Sequence, residues 1–273
     1  MKRGAAVGLT LCVGAGAAVP PSLAHAELGI DDSVSERAPW SDGSARTMPR
    51  GRAEVALFSS ARWAPWDGVE LGAHPVWFFA LPHAEAKLTW ASWNQAWYVG
   101  SAHRVSYPTP FLHLVSREGA GGLLPNDTDV PQAFVFDNAV LVSRVLGPWH
   151  VVTLRAGLSV AAQSSADLPL LDFPFLYQRF APLYAPLVPR LLARAEGRLV
   201  GPVYFAVEAQ ASYLPFDEDY GAPRGWAYEE ALTLHYRPSS KHQLSAGVRA
   251  EQAVYPIGTR THLLPTLDYR YAW

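Results

Sequence analysis

The last seven residues read Leu267-Asp268-Tyr269-Arg270-Tyr271-Ala272-Trp273. In an extended chain, side chains point alternately to opposite faces. Leu267, Tyr269, Tyr271 and Trp273 share one face; Thr266, Asp268, Arg270 and Ala272 share the other. One face is aromatic and apolar, the other charged. A soluble strand turns its charged face to water, whereas a barrel in a bilayer turns its apolar face to lipid and its charged face to the lumen. The alternation recurs upstream at 152–160, 193–199, 203–213 and 244–254. It is less clean at 226–236, where Glu230 falls on the apolar face.

The chain has 273 residues, 49% hydrophobic, 12% aromatic and 17% charged, which excludes a disordered or fibrous protein. Mean hydropathy is +0.02, and no apolar run of helix-spanning length lies beyond residue 26. A net charge of −2 argues against nucleic acid as a partner. Residues 1–26 read as a signal peptide: Lys2 and Arg3, an apolar run from Ala5 to Val19, and Ala24-His25-Ala26 at the cleavage position. Cleavage there removes two basic residues and no acid, so 22 basic residues become 20 against 24 acidic ones. Cys12, the single cysteine, lies in the removed segment, and Leu11 is too large for a lipoprotein site. The exported chain then builds its stability without disulfides.

The terminal Trp273, with aromatics two and four residues before it, resembles the C-terminal assembly signal of bacterial outer-membrane β-barrel proteins. The resemblance covers the last strand and the general pattern and points to no subfamily. It implies an all-β, antiparallel, transmembrane up-and-down barrel in the outer membrane. The lipid bilayer surrounds such a barrel, and the barrel-assembly machinery engages its C-terminal strand.

Such barrels combine short periplasmic turns with longer extracellular loops. Turns near 147–148, 201–202 and 237–242 read as periplasmic; 100–131, 164–189 and 215–225 read as extracellular. Upstream, 52–60, 69–81 and 86–98 read as strands joined by 61–68 and 82–85. The expected count is about ten strands, with eight or twelve as alternatives. Residues 27–51 read as a flexible N-terminal segment and 52–273 as the barrel. This register sets Trp149, Tyr236, Tyr271 and Trp273 in a periplasmic aromatic girdle and Tyr98, Tyr213, Trp226 and Tyr255 in an extracellular one.

The inward candidates are Glu70, His74, Lys87, Arg155, Arg194, Glu196, Arg198, Glu208, Arg249, Glu251, Asp268 and Arg270. A ring of one sign would suggest ion selectivity. This mixture instead suggests ion pairs filling a narrow interior, with a thin water-filled channel as the alternative.

The two longest loops hold the remaining candidates. Thr109 suits an N-cap, Pro110 the first helical position and Gly119 the position after a helix, so 110–118 is expected to be helical. Phe173, Phe175, Tyr177, Phe180 and Tyr184 make the second loop strongly aromatic. Such a loop packs as a lid or contacts a small or apolar ligand. For catalysis, His103 and Ser106, or His113 and Ser116, have a nucleophile–base spacing, with Asp127 or Asp129 as an acid. Asp127 and Asp129 also imitate half of the site of ten-stranded outer-membrane proteases, but no Asp-x-His follows. No cofactor or metal is expected, since no phosphate-binding glycine loop or zinc spacing occurs. The leading expectation is a structural or surface-binding barrel with a largely closed, charge-paired lumen. A narrow pore for small solutes is the first alternative and an outer-leaflet lipid-modifying hydrolase the second.

Overall fold

The terminal stretch lies in a long strand, β12 (Gly258–Ala272), with Leu267, Tyr269 and Trp273 exposed on its outside and Arg270 only 3% exposed within. The computed structural model describes residues 42–273 apart from 76, 118–123, 126, 165–167, 170–176, 186, 217–223 and 256–257. The signal peptide, Phe173, Phe175 and Gly119 lie outside the described residues. The other strands are β1 (Ala53–Ala56), β2 (Ala61–Trp66), β3 (Val69–Ala73), β4 (His83–Trp93), β5 (Trp97–Ser106) and β6 (Ala133–Leu146). They continue as β7 (His150–Gln163), β8 (Val188–Val200), β9 (Val203–Leu214), β10 (Gly225–Tyr236) and β11 (His242–Tyr255). Each pairs antiparallel with its neighbours, and β1 pairs with β12 to close the barrel. No helix among the described residues is long and apolar enough to cross a membrane.

The barrel has twelve strands rather than about ten. The difference arises before residue 107. Residues 86–98, expected as one strand, contain a hairpin turn at Asn94 (φ 48°) and Gln95 (φ 53°). Two successive positive-φ residues fit the tight turn that matches strand twist. The glycine that normally marks such a turn is missing, so sequence reading runs through it. Residues 61–68, expected as a connection, contain β2, whose Pro65 disguises it.

Pairing around the barrel climbs fourteen residues along β12 in one circuit, from Ala272 opposite Glu54 to Gly258 opposite Tyr255. Twelve strands with that stagger tilt by about 40°. At that tilt a strand needs about 9–11 residues to span a bilayer. β6–β12 have 12 to 15 residues, whereas β1, β2 and β3 have 4, 6 and 5. The wall is therefore tall on one side and about half-height on the other.

Both ends of the lumen hold folded chain. At the short-turn end, residues 42–50 form a strap inside the barrel; the rest of the segment expected to be flexible, 27–41, lies outside the described residues. Ala45 and Met48 are buried; the Ala45 N–H donates to Ser143 Oγ (2.8 Å) and the Met48 N–H to Glu70 Oε2 (3.1 Å). Gly43 has φ +75° and lies against the Arg194 side chain, where a Cβ would come within 2.6 Å of Cδ. At the long-loop end a cap fills the mouth. It comprises helix α1 (Thr109–Val115), the helical turn α2 (Tyr177–Phe180) and the residues after it. α1 starts one residue before the expected helix and stops short of its end. Thr109 is its first residue, not its N-cap; its Oγ1 donates to the Pro131 carbonyl (2.9 Å) and accepts from the Ala133 N–H (2.9 Å). Leu112, Val115, Phe180, Leu183, Tyr184 and Phe216 form the apolar core of the cap, with Phe111 stacked on Phe180 at 5.5 Å.

Candidate functional site

Between strap and cap lies a chamber of about 310 Å³, with Asp42, Gly43 and Ser44 at its strap side and Arg179 of the cap on its lining. Its lower wall is a continuous ion-pair network. Arg62 bridges Glu54 (2.6 Å) and Glu70 (2.9 Å), Lys87 reaches Glu70 (3.2 Å), and Arg270 reaches Asp42 (3.1 Å). Glu54 has no exposed side-chain surface, so these cations are what make its burial tolerable. Asp42 is half open to the chamber (49%) yet deep in the barrel. Burial alone would raise its pKa, but Arg270 and Arg62 outweigh that and hold it well below the usual carboxylate range. Arg194 bridges Glu196 (2.9 Å) and Glu208 (3.0 Å).

The upper wall has a different balance. Arg104 pairs with Glu85 (2.6 Å), Arg190 with Asp137 (3.0 Å) and Arg249 with Glu229 (2.9 Å). Arg155 and Arg179 also line the chamber, and neither makes an ion pair among the described residues. Beside Arg155 the wall residues Gly157 and Ala139 are small, which leaves the space open.

Most of the expected inward residues do face the lumen, but in different partnerships. Arg249 pairs with Glu229 and not with its strand neighbour Glu251. Asp268 accepts from the Phe58 N–H (2.9 Å) above the ion-pair network. Arg198 serves a turn, with Nε donating to the Gly201 carbonyl (2.5 Å) and its guanidinium over Trp149 (4.6 Å). His74 is buried after β3, its N–H donating to His83 Nε2 (3.2 Å). Sequence reading missed Asp42, Glu54, Arg62, Glu85, Arg104, Asp137, Arg179, Arg190 and Glu229. Arg62 lies in the unrecognised β2, Glu85 and Arg104 in strand ends read as loops, and Arg179 in a segment without periodicity.

The girdle expectation is corrected at one residue. Tyr98 lies near the short-turn end, buried inside the barrel beneath Arg46 (5.3 Å to the ring). The added hairpin at Asn94 inverts the direction of that segment and puts Tyr98 at the opposite end. Tyr213 and Trp226 sit together at the long-loop end (5.4 Å). Tyr236, Tyr271 and Trp273 lie at the short-turn end, with Tyr271 stacked on Trp273 (6.0 Å). The side chains of Tyr255 and Tyr177 lie outside the described residues. Phe180 and Tyr184 are buried in the cap, so they are packing residues and not a recognition surface.

The expected catalytic pairs do not form. His103 and Ser106 are three residues apart on a strand and face opposite sides. Ser116 Oγ donates to the His113 carbonyl (3.1 Å), not to its ring. Asp127 and Asp129 are exposed in the loop after α1. No cluster of potential metal ligands occurs among the described residues. His103 has other partners: its Nε2 lies 2.8 Å from Ser101 Oγ and its Nδ1 2.7 Å from Asn138 Oδ1. This Ser–His–Asn chain lies on the outside of β5 and β6. It sits four residues along β6 below the stacked Tyr107–Phe134 pair (5.0 Å).

The chain is similar in architecture to outer-membrane expressed OmpT of Vibrio cholerae, at 10% identity and TM-score 0.42, over 88% of this chain and 74% of that one. It is also similar to a bacterial polysaccharide outer membrane secretin, at 14% identity and TM-score 0.46, over 82% and 77% of the two chains. A third similar structure is Pseudomonas aeruginosa OccD3, at 11% identity and TM-score 0.40, over 81% of this chain. The chain spans less than two thirds of OccD3 (60%) and of two further OmpT structures (62% and 63%). No protein-family model and no curated protein matches the chain. The likeness is one of fold class, that of bacterial outer-membrane β-barrels.

Proposed function

We propose that the protein is an outer-membrane barrel whose path across the membrane is held shut by two of its own segments. The strap closes the periplasmic side and the cap closes the outside. The observation that carries this reading is the strap, whose backbone N–H groups donate to side chains of the barrel wall at Ser143, Thr89 and Glu70. A tail lying loosely in the lumen would bond water instead. The lower ion-pair network fits a closed state, because it ties Asp42 of the strap to Arg270 and Arg62 of the barrel wall. Cleavage near Ala26 and assembly through the C-terminal strand belong to the same reading. Conductance in a planar bilayer tests it. The mature protein should stay silent, and a variant lacking both the strap 42–50 and the cap helix 109–115 should give steps, with heat-dependent gel mobility confirming that both are folded. Steps from the intact protein would overturn the closed state. Silence from both would leave only a structural barrel.

A second reading, an outer-leaflet hydrolase, is favoured by the Ser101–His103–Asn138 chain. Its bonds hold the imidazole as a serine hydrolase would, with Nδ1–H donating to the amide oxygen and Nε2 accepting from the hydroxyl. Its depth opposes the reading: four residues of a tilted strand put it about 10 Å below the aromatic pair, near the middle of the apolar band. Fatty-acid release from phospholipid vesicles, lost in Ser101→Ala, would establish the reading; no release by the folded wild type would dismiss it.

A further inference from the structure

The half-height side of the barrel leaves an unpaired edge. β1 pairs with β12 from Ala53, which exchanges two backbone bonds with Trp273, to Ala56 opposite Arg270, and the last backbone bond up this edge runs from the Leu57 N–H to the Tyr269 carbonyl. β11 pairs with β12 along its whole length. From Gly258 to Asp268, β12 therefore has no strand beside it on the β1 side among the described residues. Two features fit an open edge. Pro265, which has no N–H to give to a ladder, is tolerated in a sheet at an edge. Leu264, on the inward face, is still 37% exposed. Across the gap, Phe78 and Phe79 in the β3–β4 loop are 47% and 86% exposed. Gly72 and Arg62, at the tops of the short strands, and Glu85, near the top of β4, line the chamber on the same side.

We propose that this gap is a lateral doorway through which the chamber takes the anionic headgroup of a membrane amphiphile. Phosphate or carboxylate oxygens would bind Arg155 and Arg179, while the acyl chains stay in the outer half of the bilayer. The proposal rests on the path across the membrane being closed, which leaves the side of the barrel as the route. Charge selects the ligand: among the described residues, five guanidiniums on the chamber's upper lining face three lining carboxylates, each already paired with an arginine, and Glu251, outside the lining, adds a fourth negative charge near Arg179. A planar guanidinium is suited to two-point binding of an oxyanion. The apolar rim selects the remainder of the ligand, since Leu264, Phe78 and Phe79 are poor company for a free ion but good company for acyl chains. Arg179 precedes Phe180, which is anchored in the cap core, so headgroup binding and cap position are linked through one peptide bond.

The test uses the refolded mature protein in a neutral detergent with three probes: dioctanoyl phosphatidic acid, dioctanoyl glycerol and inorganic phosphate. Saturable binding, read as a shift of the thermal midpoint and by calorimetry, is expected for the phosphatidic acid and not for the glycerol. Arg179→Gln should weaken it about tenfold or more, the range lost with one charge-assisted pair. Arg179 lies outside the strands, so this variant remains informative if Arg155→Gln fails to fold. Leu264→Trp, which narrows the gap, should abolish binding of the amphiphile. Phosphate binding as tight as phosphatidic acid, with no effect of Leu264→Trp, would identify a free anion and overturn the proposal. Absence of binding, or binding indifferent to Arg179→Gln, would overturn it too. Bilayer conductance is a separate readout, so failure of the closed-path reading would be recognised independently.

Discussion

Arg62 shows what a single residue does in this lumen. It touches Glu54 and Glu70, and Glu54 is wholly buried. Removing one partner of a buried pair leaves an uncompensated charge, at a cost of about 3–5 kcal/mol. Arg62→Ala should therefore lower the midpoint of urea unfolding in vesicles by more than Arg249→Ala, whose pair with Glu229 is more open. Equal effects would show that the lower network is not special. Asp42 behaves differently because its pKa is depressed. A depressed carboxylate stabilises the folded state above its unfolded value near 4, and that stabilisation fades as pH falls toward the folded value. Thermal midpoints of wild type and Asp42→Asn should differ at pH 7 and begin to converge only below about pH 4. A constant difference down to pH 3 would sink the assignment to Asp42. These roles were only partly legible. Arg270 could be read from its strand, but its partner Asp42 lies 228 residues away in a segment without pattern.

At the scale of elements, alternation was decisive wherever a strand was long enough to repeat it. β7, β9, β11 and β12 follow the sequence pattern, because lipid outside and charge inside impose opposite demands on successive residues. β1, β2 and β3 contain too few residues to display the period, and the Asn94-Gln95 turn lacks the glycine that would announce it. The cap was legible only in composition. Its aromatics had to be buried somewhere, and Phe180 found its place against Phe111. Truncating a buried phenylalanine typically costs about 3–5 kcal/mol. Phe180→Ala should therefore speed amide exchange in α1 while β6–β12 keep their protection. Uniform loss of protection would mean that cap and barrel unfold as one unit.

For the whole molecule, the chain's asymmetry was not legible, since the height of a wall depends on register carried around the full circuit. Twelve strands and a charged interior could be anticipated within the alternatives from the alternating faces. A lumen lined by ion pairs could be anticipated from its mixed charges, but the strap could not. Tryptophans cluster outside the low sector and its neighbours, with Trp63, Trp66, Trp90, Trp93 and Trp97 all exposed. Such rings settle at a water–lipid boundary. The barrel thus presents the bilayer with a tall flank of 12- to 15-residue strands and a short flank of 4 to 6. A membrane of uniform thickness cannot match both. Around the short flank it must thin, and shorter or more disordered chains will collect there. The protein sets the composition of its own lipid neighbourhood, recruiting to one side of the barrel the molecules least able to resist leaving the bilayer.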